Sequence, residues 1–286
     1  MEFFDISDKT INKIFYTNMK INLENKLALV CASSYGLGFS CANILAISGA
    51  DVILTSRNTK NLNKAKKDIE NNIKKLNQKN KVFTYKVDLT RKDSAKKFTN
   101  EICKKHKIDI LILNNGGPKP GNFESFRNID VFEKETSTIT FSASLLIKKL
   151  LPNMKKNKFG RIINISSIGL RKPITNLAVS NASRAYLAGL MVGVSNEVSK
   201  YKITVNTIMP GIIWTNRQKQ LTEIDAKQNK VSIKQMIAIK SKSVPTNTIG
   251  EPNDVGHLTT YLCSEYASYI NGQFIAVDGG MLGIKS

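Results

Sequence analysis

Residues 27–56 read LALVCASSYGLGFSCANILAISGADVILTS, and this stretch decides the fold. An apolar run opens it and a second apolar run, 51–56, closes it; between them lie a turn with Gly36 and Gly38 and a helical segment. Glycines at these places let the backbone turn sharply and approach a phosphate, while the start of the helix directs its amides at that charge. The stretch therefore predicts a strand–turn–helix–strand unit that can bind a nucleotide phosphate.

The same alternation of short apolar runs and longer helical patterns continues along the chain of 286 residues, with no linker rich in proline, glycine or serine. Short, continuously apolar runs are typical of strands that helices cover on both faces. Repeated β–α units predict an α/β fold: a single Rossmann-type domain with a doubly wound, seven-stranded parallel sheet, whose ligands bind at the carboxyl ends of the strands. The predicted strands are 27–33, 51–56, 81–87, 108–114, 160–166, 203–209 and 272–277.

Two segments stand apart from this repeat. Residues 1–20 are interpreted as an N-terminal extension, and the domain occupies 21–286. The long polar insertion at about 216–245 lies between two strands, and its pattern predicts helices. Because it follows a strand at the ligand-binding edge, we interpret it as a lid over the site.

The end of the second strand indicates which dinucleotide is preferred. An acidic residue at this place accepts hydrogen bonds from the adenosine ribose of NAD, whereas an arginine accommodates the 2′-phosphate of NADP. The chain has Ser56 and Arg57 here, a hydroxyl and a cation. We therefore expect NADP(H), with NAD(H) as the alternative cofactor. The competing interpretation is a glycine turn that closes the helix on the sheet without any ligand.

Several ordered motifs resemble those of the short-chain dehydrogenase/reductase (SDR) family over nearly the whole chain. CASSYGLG, 31–38, is similar to the family's glycine motif Thr-Gly-x-x-x-Gly-x-Gly, with Ala32 at its first glycine. VDLT with Asp88, LNNGGPKPG with Asn115 and PGIIWT at 210–215 match later motifs that contact the cofactor. The resemblance is closest to the 3-oxoacyl-(acyl carrier protein) reductase-like branch. It implies that the cofactor contacts Ser33, Ser34, Gly36, Leu37, Gly38, Arg57, Asp88, Leu89, Asn115, Gly116, Arg184, Pro210, Gly211, Ile213 and Thr215.

The same resemblance locates the active site, and there the chain departs from the family. SDR reductases use a serine that polarises the carbonyl and, thirteen residues later, a tyrosine that donates the proton. A lysine four residues beyond the tyrosine lowers its pKa and holds the nicotinamide ribose, and an upstream asparagine maintains a water. This chain has Ser167 at the serine position, Ser180 and Arg184 in place of tyrosine and lysine, and Ile139 in place of asparagine. The resemblance thus implies Ser167, Ser180 and Arg184 as the catalytic candidates.

These substitutions change the acid–base chemistry of the site. The aliphatic hydroxyl of Ser180 is a far weaker acid than a tyrosine, whose pKa is near 10. Arg184 can hold ribose hydroxyls and stabilise a developing alkoxide, but it does not release a proton at ordinary pH. Tyr186 lies two residues beyond Arg184, so we expect it on another face of the helix. Lys119 and Lys172 are alternative proton donors if their side chains enter the cleft.

Three functions are compatible with these residues. The first is an NADP(H)-dependent oxidoreductase that reduces a carbonyl or oxidises an alcohol, 3-oxoacyl-thioester reductase-like, with a non-standard proton donor. The second is a catalytically weak or inactive homologue that serves as a nucleotide-binding sensor or partner subunit. The third is nucleic-acid binding, which is suggested by a formal charge of +21 from 43 basic and 22 acidic residues. The lysines are scattered and not interleaved with aromatic residues, so we do not favour this third function.

Cysteines, histidines and hydropathy limit the partners of the chain. Four cysteines without paired spacing argue against disulfides and metal knuckles, and two distant histidines argue against a zinc site. No stretch has the apolar length of a signal peptide or a membrane span. We expect a cytoplasmic protein without a metal or a membrane partner. Its substrate is a small-molecule or acyl-thioester carbonyl, and the resemblance implies a homo-oligomer, either a tetramer or a dimer.

Overall fold

The computed structural model of the chain describes residues 20–118 and 120–283. The N-terminal extension up to residue 19 and Lys119 lie outside the described residues. The strands are β1 Leu27–Val30, β2 Asp51–Ser56, β3 Val82–Lys86, β4 Ile110–Leu113, β5 Gly160–Ile165, β6 Ile203–Pro210 and β7 Phe274–Val277. All neighbours pair in parallel, in the order β3-β2-β1-β4-β5-β6-β7. The predicted doubly wound, seven-stranded parallel sheet is confirmed.

Eight α-helices are present in the described part of the chain. They are α1 Gly36–Ile47, α2 Thr59–Lys75, α3 Lys92–Lys105, α4 Ile129–Asn157, α5 Ala178–Val198, α6 Asn216–Gln228, α7 Ile233–Lys242 and α8 Pro252–Cys263. Asparagine side chains cap the amino ends of α2 and α4. Asn58 and Asn128 each accept a hydrogen bond of 3.0 Å from a first-turn amide. None of the described helices combines the length and the apolar composition that crossing a bilayer requires.

Helices cover both faces of the sheet, and each face has its own apolar core. Helices α1, α2 and α8 pack on one face against strand residues such as Val30 and Ile163. Helices α3, α4 and α5 pack on the other face against residues such as Leu29 and Ile162. Successive strand residues point to opposite faces, so neighbours such as Leu29 and Val30 enter different cores. This two-sided burial explains why the strands are rich in apolar residues on both faces.

The order of the strands creates the crevice in which the site lies. The chain adds β2 and β3 on one side of β1, and then returns to place β4 and the later strands on the other side. At such a reversal the turns that leave the carboxyl ends of the two central strands diverge and open a crevice between them. The turns after β1 and β4 border this crevice directly, and the turns after β2, β5 and β6 flank it.

The turn between β1 and α1 holds a residue other than glycine in the left-handed region. Ala32 has a φ of 46°, and Gly36, later in the same turn, has a φ of 61°. The amide of Ala32 donates to Thr55 Oγ1 at 3.0 Å, and its carbonyl accepts from Asn114 Nδ2 at 3.1 Å. A Cβ in this region costs about 1–2 kcal/mol. The hydrogen bonds therefore hold a strained backbone where the similar family motif has glycine.

Ala32→Gly is expected to stabilise the protein by about 1 kcal/mol, because glycine adopts this φ without strain. A gain of that size raises the melting temperature of a large domain by about 2 °C, which calorimetry can measure. Ala185→Gly is the matched control, since Ala185 is exposed within α5 and its replacement should lose about 1 kcal/mol. An equal loss in both variants would contradict the assignment of strain to Ala32.

The polar insertion that was predicted to be helical is helical. Helices α6 and α7 fill most of 216–245, and Thr215 and Ser232 cap their amino ends. Lys240 Nζ lies 2.6 Å from Asp225 Oδ2, and this ion pair joins the two helices. The insertion is thus an ordered helical hairpin next to the end of β6; its action as a lid stays a prediction.

Candidate active site

The amino end of α1 forms a turn that can receive a phosphate at the carboxyl edge of the sheet. Tyr35, at the N-cap, makes no side-chain hydrogen bond to the helix, so the first amides keep no side-chain partner. A Cβ at Gly38 would lie 2.5 Å from the carbonyl oxygen of Ala32, so only glycine permits this close packing. A Cβ at Gly36 would meet only Thr215, at 3.7 Å. The open space and free amides fit the pyrophosphate of a dinucleotide.

The two serines of this turn have different roles. Ser33 is fully buried; its Oγ donates to the Val30 carbonyl at 2.8 Å and accepts from the Thr55 amide at 3.0 Å, which ties β1 to β2. The Ser33 amide is also used, since it donates to the Thr55 carbonyl at 2.9 Å. The hydroxyl and the amide of Ser33 are therefore both used within the protein, and the cofactor contact at Ser33 stays a prediction. Ser34 is partly buried, and Leu37 packs against the core on the α1 face.

The end of β2 presents a hydroxyl pair and a cation. Ser34 Oγ donates to Ser56 Oγ at 2.9 Å, so the residue at the ribose-binding position already has a partner within the protein. Arg57 follows directly and is exposed. Its positive charge acts on Asp88, which the turn after β3 brings to the same end of the sheet. The structure thus brings Arg57 and Asp88 to the same end of the sheet, and their contact with the adenosine part of a dinucleotide stays a prediction.

Asp88 carries a negative charge at this end of the sheet. Its partial burial favours the neutral acid, but hydrogen bonds from the Thr90 hydroxyl, at 2.6 Å, and the Thr90 amide, at 3.0 Å, favour the carboxylate. The charges of Arg57 and Arg91 act in the same direction, and the pKa of Asp88 lies below its ordinary value. Leu89 is partly buried against the core on the opposite face from α1.

The end of β4 contributes Asn115 and Gly116 to the crevice. Gly116 is exposed, and a Cβ there would meet no atom within 4 Å. Asn115 Nδ2 donates to the Ile139 carbonyl at 3.4 Å. Its neighbour Asn114 is not among the predicted cofactor residues. Asn114 Nδ2 donates to the carbonyls of Cys31 and Ala32 and so holds the turn between β1 and α1 in place. Asn114 lies directly after β4, so the same rule that pointed to Asn115 could have identified it.

The end of β6 carries the remaining predicted cofactor residues. Pro210 is the buried last residue of the strand, and the Gly211 amide donates to the Val277 carbonyl at 2.9 Å. Ile213 is buried, and its carbonyl accepts from the Thr215 amide at 2.8 Å. Thr215 Cγ2 lies 3.7 Å from the position that a Cβ on Gly36 would occupy. The loop after β6 therefore approaches the phosphate turn from the opposite side of the crevice.

Ser180 and Arg184 lie together in a small cavity between β5, α4 and α5. They are one turn apart on α5, and Arg184 Nε donates to Ser180 Oγ at 3.1 Å. Arg184 Nη1 also donates to the Ile165 carbonyl at 3.4 Å. The cavity has a volume of about 20 Å³. It is lined by Asn115, Gly116, Gly117, Pro118, Ile139, Asn164, Ile165, Ser180, Ser183, Arg184 and Leu187.

Arg184 is a partly buried cation in this cavity. Burial lowers the pKa of Arg184 to about 10, which still leaves the guanidinium charged at neutral pH. No pairing carboxylate replaces the lost water: the ion pairs of the described residues are Lys66–Glu70, Lys105–Glu101 and Lys240–Asp225. The site therefore combines a positive charge with a hydroxyl, an arrangement that stabilises negative charge on a bound oxygen.

The other catalytic candidates lie outside the cavity. Ser167 does not line it; its Oγ accepts from the Gly169 amide at 3.1 Å and caps a short 3-10 turn. Tyr186 is 53% exposed, with its hydroxyl 3.4 Å from Ser144 Oγ, and so it lies on another face of α5 as expected. Lys172 is exposed and does not line the cavity. Ile139 does line it, as a partly buried apolar side chain.

The histidines pack in ways unrelated to this site. His106 Nε2 lies 2.9 Å from the Tyr85 hydroxyl, and its ring meets that of Phe83 edge-on at 5.1 Å. His257 is exposed on α8. Within residues 20–118 and 120–283, no three histidine, cysteine, aspartate or glutamate side chains cluster as metal ligands would.

Comparisons with known protein families and sequences identify relatives along almost the whole chain. A family model described as enoyl-(acyl carrier protein) reductase matches residues 31–282. The 3-oxoacyl-[acyl-carrier-protein] reductase FabG of Rickettsia conorii is 33% identical over 262 residues, which cover 92% of this chain and 99% of the relative. Dehydrogenase/reductase SDR family member 4 of Bos taurus is 33% identical over 264 residues, or 91% of this chain and 88% of the relative.

Solved structures share the fold over almost their entire length. YwfH, an NADPH-dependent reductase involved in bacilysin biosynthesis, has a TM-score of 0.82 at 29% identity, covering 91% of this chain and 99% of that chain. L-sorbose reductase from Gluconobacter frateurii, complexed with NADPH and L-sorbose, has a TM-score of 0.84 at 25% identity, covering 93% of this chain and 100% of that chain. The chain therefore belongs to the short-chain dehydrogenase/reductase family and is an oxidoreductase of that family.

Proposed function

We propose that the protein reduces a carbonyl group, or oxidises the corresponding alcohol, with NADP(H) and with Ser180 and Arg184 in place of the family's tyrosine and lysine. The observation that carries this proposal is the 3.1 Å hydrogen bond from Arg184 Nε to Ser180 Oγ in a cavity that Asn115 and Gly116 also line. A cation and a hydroxyl thus stand at the crevice where the substrates of such folds react.

The choice of NADP(H) over NAD(H) rests on the end of β2. Ser56 supplies no carboxylate for a ribose 2′-hydroxyl, and its Oγ already accepts from Ser34. The exposed Arg57 beside it offers a bidentate partner for a 2′-phosphate. The relatives support this preference, because YwfH is described as NADPH-dependent and the sorbose reductase was crystallised with NADPH.

When bound, NADPH supplies the hydride. Arg184 stabilises the negative charge that develops on the carbonyl oxygen, and its partial burial reduces the screening of its charge by water. Ser180 accepts from Arg184, so its own proton remains free to point at that oxygen. An aliphatic hydroxyl is a weak acid, and loss of a well-matched acid typically costs about 10²–10⁴ in rate. We therefore expect slow turnover of simple ketones.

Substrate and assembly follow from the relatives and from α5. The name of the FabG relative favours a 3-oxoacyl thioester or a similar small carbonyl compound as substrate.

Tyr186 and Val192 are exposed on α5, and Cβ atoms at Gly189 or Gly193 would meet nothing within 4 Å. Such an open helix face supports packing against another copy of the chain in a dimer or a tetramer. A cytoplasmic location remains our expectation.

One observation favours a second candidate function. No tyrosine among the described residues lines the cavity, and the hydroxyl of Tyr186, the nearest in sequence, lies 3.4 Å from Ser144 Oγ. A site without a competent acid can still bind the dinucleotide at the phosphate turn and at Arg57. The alternative is therefore a catalytically weak or inactive homologue that acts as a nucleotide-binding sensor or partner subunit.

Titration of the purified protein with NADPH and NADH, followed by nucleotide fluorescence, tests the proposal. We expect NADPH to bind at least about tenfold more tightly than NADH, because one charge-assisted phosphate contact contributes about 1.5–3 kcal/mol. A panel of ketones, aldehydes and 3-oxoacyl thioesters should then show slow NADPH consumption. Tight binding without consumption supports the sensor, and absence of binding by both nucleotides contradicts both functions.

A further inference from the structure

The loop after β6 crosses the crevice instead of following its rim. We call residues 211–217, from the end of β6 to the first turn of α6, the strap. Strand β6 is three places from β1 in the sheet, which separates the two strands by about 14 Å. Thr215 nevertheless reaches the turn after β1, where its Cγ2 lies 3.7 Å from the position of a Cβ on Gly36. The strap therefore passes over the carboxyl ends of β5 and β4.

The end of the strap nearer to β6 is attached through its backbone. The Trp214 amide donates to the Gly250 carbonyl at 2.7 Å, and the Gly250 amide donates to the Ile212 carbonyl at 3.0 Å. Ile213, which lies between these two residues, is buried. Two backbone hydrogen bonds and a buried apolar side chain make this end the firm attachment of the strap.

The far end of the strap is held by one side chain. Arg217 Nη2 donates to the Pro118 carbonyl, in the loop after β4, at 2.9 Å. Among residues 20–118 and 120–283, this is the one hydrogen bond that joins the strap to that loop. Both residues are only partly buried, so water can reach the bond. Exposed hydrogen bonds open at a lower free energy than buried ones, so the strap should open at this end and not at Gly250.

The contact with Pro118 accounts for the place of Arg217. It is the second residue of α6, where the helix dipole disfavours a positive charge. Its side chain extends away from the helix, over the loop after β4, where a Cβ on Gly117 would lie 3.9 Å from Arg217 Nε. The guanidinium is thus used to bridge two walls of the crevice and not to stabilise its own helix.

We propose that the hydrogen bond from Arg217 to Pro118 is a latch that controls how fast the dinucleotide enters and leaves the crevice. The inference rests on the proposed function, in which the nucleotide extends beneath the strap from Gly36 to Gly116. Arg217 is a positioning residue here, because the bond joins two groups of the protein and includes no atom of the nucleotide. Such a bond favours neither the free nor the bound state, so it slows entry and release alike and changes the affinity little.

Stopped-flow fluorescence with NADPH tests the latch. We expect Arg217→Ala to raise the association and the dissociation rate constants by about tenfold each, because opening no longer breaks a hydrogen bond to a charged group. The Kd should therefore change by less than about threefold. Arg217→Lys keeps the charge and a donor, and its rate constants should lie between those of Arg217→Ala and the natural chain. Lys227→Ala is the matched control, since it removes an exposed positive charge from the same helix.

Trp214 reports the strap without any nucleotide. It is the single tryptophan of the chain and is partly buried beside its attachment to Gly250. Acrylamide quenching of its fluorescence should rise by about twofold or more in Arg217→Ala, because the strap opens more often. Lys227→Ala should leave the quenching unchanged. Circular dichroism checks the fold of each variant, and if Arg217→Ala does not fold, Arg217→Lys decides the matter.

Two results would overturn the inference. The first is unchanged quenching and unchanged rate constants in Arg217→Ala. The second is faster dissociation without faster association, so that the Kd weakens in proportion, since this would show that Arg217 binds the nucleotide itself. Quenching that rises in Arg217→Ala of a protein that binds no nucleotide would support the latch and contradict the proposed function. NADPH binding with rate constants that Arg217→Ala leaves intact would do the opposite.

Discussion

Ser180→Tyr combined with Arg184→Lys is expected to raise kcat/KM for simple ketones by about 10²–10⁴. The two positions are one turn apart on α5 and face the same cavity, so a tyrosine and a lysine placed there lie within reach of each other. A neighbouring ammonium lowers the pKa of a phenol toward neutrality, which makes it a much better proton donor than a serine hydroxyl. The pair would thus supply the acid that the natural chain lacks.

Initial rates with NADPH and a ketone panel, compared across both single variants and the double variant, measure this effect. Each single change should gain little, because a tyrosine without lysine or a lysine without tyrosine lacks its partner. The tyrosine ring cannot fit a volume of about 20 Å³, so it must extend into the crevice past Gly116. Overpacking would appear as a loss of about 1–3 kcal/mol in unfolding free energy. A well-folded double variant that binds NADPH and gains no rate would show that the cavity has been reshaped.

The sheet was predictable because its strands are buried on both faces. The ranges 51–56 and 160–166 predict β2 and β5 to within one residue, since no polar face interrupts their apolar runs. The first predicted strand, 27–33, is too long: β1 ends at Val30 because Ala32 turns the chain at a φ of 46°. The apolar pattern does not indicate this turn; only the place of Ala32 at the first glycine of the similar family motif points to it.

The location of the predicted cofactor residues at the carboxyl edge of the sheet was predictable from their places after strands, but the contents of the cavity were not. The spacing of Ser180 and Arg184 indicates one helix face, and the structure joins them at 3.1 Å. Asn164 is a polar residue within a strand, and only the three-dimensional packing shows that its Nδ2 is buried and makes no hydrogen bond to a described residue. Ser167 accepts from the Gly169 amide and does not line the cavity, and the catalytic role that the resemblance implies for it stays a prediction.

Arg57→Ala is expected to weaken NADPH binding by roughly 10- to 100-fold and to change NADH binding by less than about twofold. The arginine is exposed at the end of β2, and a charge-assisted contact with a 2′-phosphate contributes about 1.5–3 kcal/mol. Its removal has a second consequence. The Asp88 carboxylate loses a nearby positive charge, so its own charge repels the phosphate more strongly. NADH has no 2′-phosphate and meets neither effect.

Fluorescence titration with both nucleotides at low and high salt measures the preference directly. Because Arg57 is exposed, added salt should reduce the difference in affinity between NADPH and NADH in the natural chain. In Arg57→Ala the same difference should stay nearly unchanged. Arg91→Ala is the informative comparison. The positive charge of Arg91 also lowers the pKa of Asp88, but Arg91 lies at the N-cap of α3 and not at the end of β2. If Arg91→Ala weakens NADPH more than Arg57→Ala does, the phosphate is bound by the turn after β3. The cofactor preference would then depend on a residue that the pattern at the end of β2 does not identify.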